Sequence, residues 1–288
     1  MANLEAAVHA RKIVEHFGGE WHNDHGLCRC PAHKDNTPSL SVRIGRSAIL
    51  FTCHAGCDRR DIFEALKNER LTVAGPMSFT PQKQNDYRGL AKQIWENSLP
   101  LAGTLGEQYL RSRAICHGSD QLRFSPRAQL GAGADARFYP AIIAAIRDET
   151  GLVAIQRTFL DRDTGGKAVG IGKAKRALGL LGSGAIRLSD PTESGFVGLA
   201  EGIEDALSVE DLGQVPVWAA GGIERYALIE FPPAVKHVTI FSQWGGPAKT
   251  AIINAEPNFK RQGITLDVEL PPRRQDWNEY HQSLMERA

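Results

Sequence analysis

At 288 residues, 42% hydrophobic and 23% charged, the chain has the composition of a soluble globular protein of about two domains. No run approaches the ~18 apolar residues of a membrane span, and the opening MANLEAAVHARKIVEHFGGEW holds no apolar core with a cleavage site, so a cytoplasmic protein with no membrane partner is expected. The formal net charge of +1 by itself points to no nucleic-acid partner, but residues 83–190 carry 16 Lys and Arg against 10 Asp and Glu, and residues 191–288 carry 8 against 14. A basic middle beside an acidic end suits a chain that holds a polyanion in one region and a cation in the other.

In chain order, LEAAVHARKIVEHFG (3–17) places Leu4, Val8, Val14 and Phe17 near helical spacing, and a glycine pair ends the helix. SLSVRIG and AILFTC read as the arms of a hairpin, and DRRDIFEALKNE from Asp58 as a short helix. The segment 73–86, polar and with two prolines, reads as a linker, and YRGLAKQIWENSL opens the next unit with a helix. The middle, 87–190, mixes strands such as AIIAAI and LVAIQRTFL with basic loops. From GFVGLA onward, strands alternate with helices, which implies a parallel sheet with helices on its faces. The expected fold class is therefore α/β, with a different architecture in each region. A zinc-ribbon-like domain (1–72) and the linker (73–86) precede a basic α+β region (87–190) and a domain built on the parallel sheet (191–288).

Four of the five cysteines, Cys28, Cys30, Cys53 and Cys57, fall within thirty positions, which in a chain without secretory features argues for metal rather than disulfides. Cys30-x2-His33, then 19 residues, then Cys53-x3-Cys57 gives two close ligand pairs that a hairpin can bring together around tetrahedral Zn²⁺. All four positions are then filled by protein, so the site is expected to be structural. Cys28 and His54 compete for the same role. A unit of about 60 residues buries only ~60% of its unfolded surface, and a structural zinc contributes an apparent ~10–16 kcal/mol to folding. CPAHKDNTPSLSV followed by FTCHAGCDRRDIFEAL resembles the zinc-binding domain of bacterial-type DNA primases, in the versions carried by phages and mobile elements. The resemblance covers about residues 25–70, with three residues rather than two between Cys53 and Cys57. It implies a domain that helps to recognise single-stranded template.

In VGLAEGIEDALSV, Glu201 ends an apolar strand, Gly202 permits the turn and Asp205 lies one helical turn on, so the two carboxylates share a face. At the carboxyl edge of a parallel sheet they stand where α/β folds bind ligands. Asp276 follows the last strand. Acids at a helix N-terminus also complement its dipole without any metal. AEGIEDALS with a terminal DWNEY resembles a Toprim (topoisomerase–primase) domain, and GTLGEQYLRSR, LRF, RTFL and GKAKRALG resemble the segment that joins the two domains in such primases. The resemblance implies that Glu201 is the catalytic acid/base and that Asp205 and Asp276 belong to a set binding Mg²⁺ or Mn²⁺. It also implies a basic surface of Arg111, Arg113, Arg157, Lys167, Lys173, Lys175 and Arg176 that holds template or nucleotide.

The sequence departs from that pattern after HVTIF, where the family has Asp-x-Asp. Gln243 and Gly245 take the two acidic positions with Trp244 between them, and no Asp or Glu occurs between Glu230 and Glu256. GGPAKT is not a P-loop either, because Ala248 precedes Lys249-Thr250 and Gln243 stands where the first glycine belongs. Lys249 remains a candidate phosphate contact. Two functions follow from the resemblance. One is a primase-like nucleotidyltransferase joining NTPs on single-stranded DNA, in company with a replicative helicase. The other is a catalytically degenerate single-stranded DNA-binding or replication-accessory protein of a mobile element.

Overall fold

Helix α1 (Ala2–His16) opens the chain, and its 3.6-residue period turns Ala10, Ile13 and Val14 into the core. Val8, expected on that face, is 48% exposed, because at 100° per residue it falls away from the stripe through 10, 13, 14 and 17. In this computed structural model the described residues are 2–35, 37–45, 49–55, 57, 59–69, 87–131, 133, 136–213, 215–272 and 274–286. The linker expected over 73–86 lies wholly outside them. The chain divides into two compact units, residues 1–85 and 86–288.

The first unit is a four-stranded antiparallel sheet in sequence order: β1 (Glu20–His22), β2 (His25–Cys28), β3 (Leu40–Ile44) and β4 (Ile49–Cys53). The two-residue turn between β1 and β2 needs a left-handed residue, and Asn23 supplies it at φ 51°. The expected β3–β4 hairpin is present, with Leu40 opposite Cys53. Helices α1 and α2 (Arg59–Asn68) contribute Ile13, Val14, Ile62 and Leu66 to a core with Leu40, Val42 and Phe51.

The second unit contains two sheets. An antiparallel sheet runs β5 (Leu99–Pro100), β6 (Leu122–Leu130), β7 (Arg137–Asp148), β8 (Gly151–Phe159) and β9 (Lys175–Gly179), with helices α3 (Tyr87–Glu96) and α4 (Leu105–Ser112) preceding its long strands. The parallel sheet has the order β11 (Val217–Ala219), β10 (Phe196–Ala200), β12 (His237–Phe241) and β13 (Thr265–Glu269). Strands β10, β11 and β12 read as largely apolar runs because helices cover them, whereas the edge strand β13 (TLDVE) is mostly exposed. These are α5 (Ile203–Gly213), a 3-10 helix (Ile223–Leu228), α6 (Gly246–Arg261) and α7 (Trp277–Met285). One core joins both sheets, running from Tyr109, Leu122 and Ile142 to Ala200, Ile203, Phe241 and Trp277. The Ala185–Ile186 segment bridges them by backbone pairing, to Arg147 on one side and Ala219 on the other.

Register sets the place of the site. Ala200 pairs with both Ala219 and Phe241, so the carboxyl ends of three neighbouring strands are level. The residues that follow them, Glu201, Ala220 and Ser242, emerge together at the edge where open α/β sheets bind ligands. Helix α7 is held to that edge by Trp277, whose indole N–H donates to the Ser242 carbonyl at 2.9 Å and whose ring meets Phe241 edge-on at 5.4 Å.

The far end of α5 is fastened by a histidine. His117 Nε2 lies 3.3 Å from Glu210 Oε2 and Nδ1 lies 2.9 Å from Asp211 Oδ1, and only the imidazolium can donate to both. The hydrogen bond to Glu210 raises the His117 pKa; burial opposes this and Asp211 adds to it. A raised folded-state pKa contributes stability fully below the unfolded value of about 6.5, and that contribution is lost as pH climbs through the folded value. His117→Gln is therefore expected to lower Tm by a few degrees at pH 6 and by little at pH 9. An equal loss at both pH values would remove the charge from the explanation.

Candidate functional site: a cysteine–histidine quartet and an acidic sheet edge

The quartet assembles from chain ends that the hairpin sheet aligns. Cys30 and His33 follow β2, Cys53 ends β4 and Cys57 follows the next turn, and one ligand atom from each lies within 4.8 Å of the other three. His33 Nδ1 is 3.1 Å from Cys57 Sγ and 4.0 Å from Cys53 Sγ. Cys28 is excluded, since it is buried on the core side of β2 with its thiol 3.7 Å from the Leu40 carbonyl. His54 is exposed and not among the four. Burial pushes the Cys28 thiol up to about 12, which suits a packed apolar residue. Burial also pushes Cys30 up to about 11 and raises Cys57, and the neighbouring sulfurs reinforce both shifts. Cys53 runs the other way, burial being outweighed by the Cys57 N–H and the Ser39 hydroxyl. Cys30 and Cys57, raised in this way, would ionise readily with a cation beside them. Three sulfurs and one imidazole nitrogen are the donor set that suits tetrahedral zinc.

Asp35, absent from the ligand pattern read from spacing, organises the loop. Its carboxylate accepts from the Cys30 N–H at 2.7 Å, the Ser39 hydroxyl at 2.6 Å and the Thr37 N–H at 3.1 Å. It also lies 3.8 Å from His33 Nε2, so the imidazole stands between a carboxylate and the sulfurs. Burial works against ionisation of Asp35, but these hydrogen bonds more than offset it and hold its pKa below the ordinary value. Such outer partners fix ring orientation and typically carry 10–100-fold in metal affinity. Purified protein is expected to contain about one zinc per chain, and Asp35→Ala to lower zinc affinity about 10–100-fold in a chelator competition. An unchanged affinity would leave Asp35 as a loop residue only.

At the carboxyl edge of the parallel sheet, Glu201 leaves β10 and Gly202 turns the chain into α5, whose first turn carries Glu204 and Asp205. Burial raises the Glu201 pKa; Lys175 opposes this, while Glu224, Asp276 and Glu204 add to it. Burial, with Asp276 and Glu204, pushes Asp205 up to about 7. Asp205 Oδ1 accepts from the Asn278 N–H at 3.3 Å. Asp276 is the N-cap of α7, its carboxylate accepting from Glu279 N–H at 2.7 Å in a reciprocal capping box. Glu201, Asp205 and Asp276 thus share one edge, and the charge of Asp276 reaches both of the others. Their oxygens do not close up as the quartet does, which among the described residues is the one such convergent group.

Gln243, standing where the resemblance requires an acid, donates its amide N–H to Glu201 Oε2 at 2.8 Å. Trp244 is half exposed, with its indole N–H on the Pro271 carbonyl at 2.9 Å. Gly245 caps α6 at φ 132° without a side-chain acceptor, and Lys249 is exposed in the first turn of that helix.

Glu204, which the sequence analysis left without a role, is the most enclosed acid of the site. Its side chain is 5% exposed, and both oxygens are taken. Oε1 accepts from Tyr109 OH at 2.7 Å and lies 3.0 Å from Lys167 Nζ, and Oε2 accepts from Lys175 Nζ at 2.8 Å. Burial opposes its charge, yet Lys175 and Lys167 win and hold Glu204 well below the usual carboxylate range. Of the basic residues expected to hold nucleic acid, Lys167 and Lys175 are therefore ion-paired inside this site. Arg111 pairs with Glu107 at 2.9 Å, and Arg157 is half-buried with a bond to the Gln129 carbonyl at 2.8 Å. Arg113 is half-buried at the end of α4. Lys173 and Arg176 are exposed, Arg176 reaching back to the Ile171 and Lys173 carbonyls.

The chain thus combines a Cys3His quartet in its first unit with a parallel sheet that carries acids at its carboxyl edge in its second. Residues 196–285 match the Toprim domain, and residues 85–188 match a domain of unknown function, DUF7146. No curated protein sequence matches the chain. Among solved structures, the chain is similar to the zinc-binding and RNA polymerase domains of the Aquifex aeolicus primase, at 15% identity over 98% of this chain and 84% of that one, with a TM-score of 0.47. It is also similar to a DnaG catalytic core, at 15% identity over 70% of this chain and 80% of that one, with a TM-score of 0.47. The primase fragment of the bacteriophage T7 primase-helicase protein is 15% identical over 91% of this chain and 97% of that one, with a TM-score of 0.40.

Proposed function

We propose that the chain is a primase-related replication protein that acts on single-stranded DNA and transfers nucleotides at its Toprim acids. The observation that carries this reading is the gathering of Glu201, Asp205 and Asp276 at one sheet edge within a segment that matches the Toprim domain. Hard oxygen donors of this kind suit Mg²⁺ or Mn²⁺, which commonly take one or two carboxylates and complete their shell with substrate phosphates and water. Asp205 and Asp276 would hold the ion, which supplies charge neutralisation at the phosphates. Glu201, partly buried with its pKa raised, is placed to take the proton from an attacking 3′-hydroxyl. Exposed Lys173 and Arg176 and the helix N-terminus beside Lys249 offer contacts to template or triphosphate. The Cys3His quartet fits structural zinc, and its unit would contribute to template recognition.

A second reading has its own observation. Gln243 is neutral and already occupies one Glu201 oxygen, which favours a protein that grips single-stranded DNA without extending a primer. Primer synthesis from NTPs on single-stranded DNA with Mg²⁺ or Mn²⁺ separates the two. The first reading expects product with the native chain and a loss of about 10²–10⁴-fold in Glu201→Gln. Absence of product under either metal, with salt-dependent DNA binding retained, would establish the second.

A further inference from the structure

Trp244 stands apart from the other tryptophans of the chain. Trp95, Trp218 and Trp277 are buried, and Trp21 packs against the core of the first unit. Trp244 is 47% exposed, within residues 244–247, all of which are exposed. Large aromatic rings contribute most when buried, so a ring kept out of the core is the exception that asks for a partner. Yet the ring is held rather than loose. Its N–H donates to the Pro271 carbonyl at 2.9 Å, which ties the loop after β12 to the loop after β13. That bond lies in the plane of the indole, so it fixes one edge and leaves the faces to other partners. Among the described residues no aromatic ring or guanidinium lies over Trp244, whereas Trp218 stacks on Phe231 at 5.5 Å and Trp95 carries Arg123 at 4.5 Å. The loop adds little bulk, since a methyl group at Gly246 would meet no other part of the fold within 4 Å.

The charges on these loops are mixed. Lys249, in the first turn of α6, and Arg274, which follows Pro271 in its loop, are both exposed. Against them stand Glu201, bonded to Gln243 next to the tryptophan, exposed Glu269 at the end of β13, and Asp276 at the N-cap of α7, with Glu224 adding its field at Glu201. At such a place a flat neutral group suits the indole better than an ion does, and the two exposed cations suit a phosphate attached to that group. A nucleobase with its phosphate has both parts, and stacking on an aromatic ring accepts any base.

Resting on the reading that this sheet edge handles nucleic acid, we infer that Trp244 is a stacking platform for a nucleobase, with Lys249 and Arg274 taking the adjoining phosphate. A base of the single strand and the base of an incoming NTP present the same flat face. The test uses the full, zinc-loaded chain with three probes: a short fluorescein-labelled oligo-dT, a strand of equal length with abasic residues in place of the thymidines, and ATP. Trp244→Leu is expected to weaken a base-bearing probe about tenfold and to leave the abasic strand unchanged. Trp244→Phe keeps a ring and is expected to stay within about threefold of the native chain, with less quenching of tryptophan fluorescence on binding. Lys249→Gln and Arg274→Gln are expected to weaken both strands alike and to lower the salt dependence. Dependence of oligo-dT on Trp244 assigns the platform to the single strand, and dependence of ATP alone assigns it to the incoming nucleotide. Unchanged binding of both oligo-dT and ATP in Trp244→Leu would overturn the inference and leave the proposed function standing. An equal loss on the abasic strand, or a Phe variant as weak as the Leu variant, would also overturn it. A native chain that binds neither strand nor ATP would strike both, whereas one that binds ATP through Trp244 but no strand would strike only the action on single-stranded DNA. Loss of primer synthesis with this pattern intact would strike nucleotide transfer and leave the platform in place.

Discussion

A carboxylate taken out of water without partners becomes neutral rather than staying charged, because the cost of the bare ion is too large for a fold to absorb. Glu204 is enclosed at 5% exposure and yet supplied with three donors, and that requirement shapes the second unit. The donors come from elsewhere in the chain. Tyr109 lies on α4, Lys167 in the segment after β8, and Lys175 opens β9, while Glu204 sits in the first turn of α5. To satisfy one carboxylate, the antiparallel sheet and the parallel sheet must meet in one register. The shared core of Tyr109, Ile203 and Phe241 then fills the space that this register creates. Both lysine heads reach solvent on their outer sides, so the knot is screened more than a fully enclosed pair, and its main contribution is geometric.

The chemistry of the edge follows from the same knot. With two ammonium groups committed to Glu204, the outer acids keep a modest negative surplus, and Asp205 is pushed up to about 7, chiefly by burial with Asp276 and Glu204 adding to it. Gln243 fits that balance, since a neutral amide donates to Glu201 where an acid would add further repulsion. The first unit solves a related problem differently. Its buried charge falls on Asp35, whose backbone and hydroxyl donors hold the Cys30–His33 loop in the shape that brings four soft donors together. In both places an enclosed carboxylate arranges the groups that face the ligand and is not itself one of them.

Much of this could be read along the chain. The β3–β4 hairpin, the alternation of strand and helix after Phe196, and the choice of Cys30, His33, Cys53 and Cys57 rest on local spacing, which a linear sequence displays directly. What escaped depends on partners distant in sequence. Glu204 meets Tyr109 across 95 positions and Lys175 across 29, so nothing next to Glu204 announced its burial. Lys167 and Lys175 displayed charge but not its destination, and a basic stretch is read by default as a surface. Asp35 is partly legible, because an acid followed two and four residues later by Thr37 and Ser39 is a loop-closing pattern, but its bond to the Cys30 N–H forms only in the folded loop. Asn278 lay inside the DWNEY motif, and its ties to Asp205, Ser208 and Arg113 appear only once α7 is folded against α5.

The claim on which these relations rest is that Glu204 is a buried, permanently ionised carboxylate. Carbon-13 resonances of glutamate side-chain carboxyls, followed from pH 8 to pH 4 with Glu204→Gln used for assignment, report that state directly. A Glu204 signal that stays at its ionised position throughout, while exposed glutamates titrate near their ordinary value of about 4.3, is the predicted result. A Glu204 signal that titrates at or above that value would contradict the account, because a neutral acid would neither hold two lysines nor set the charge of the edge.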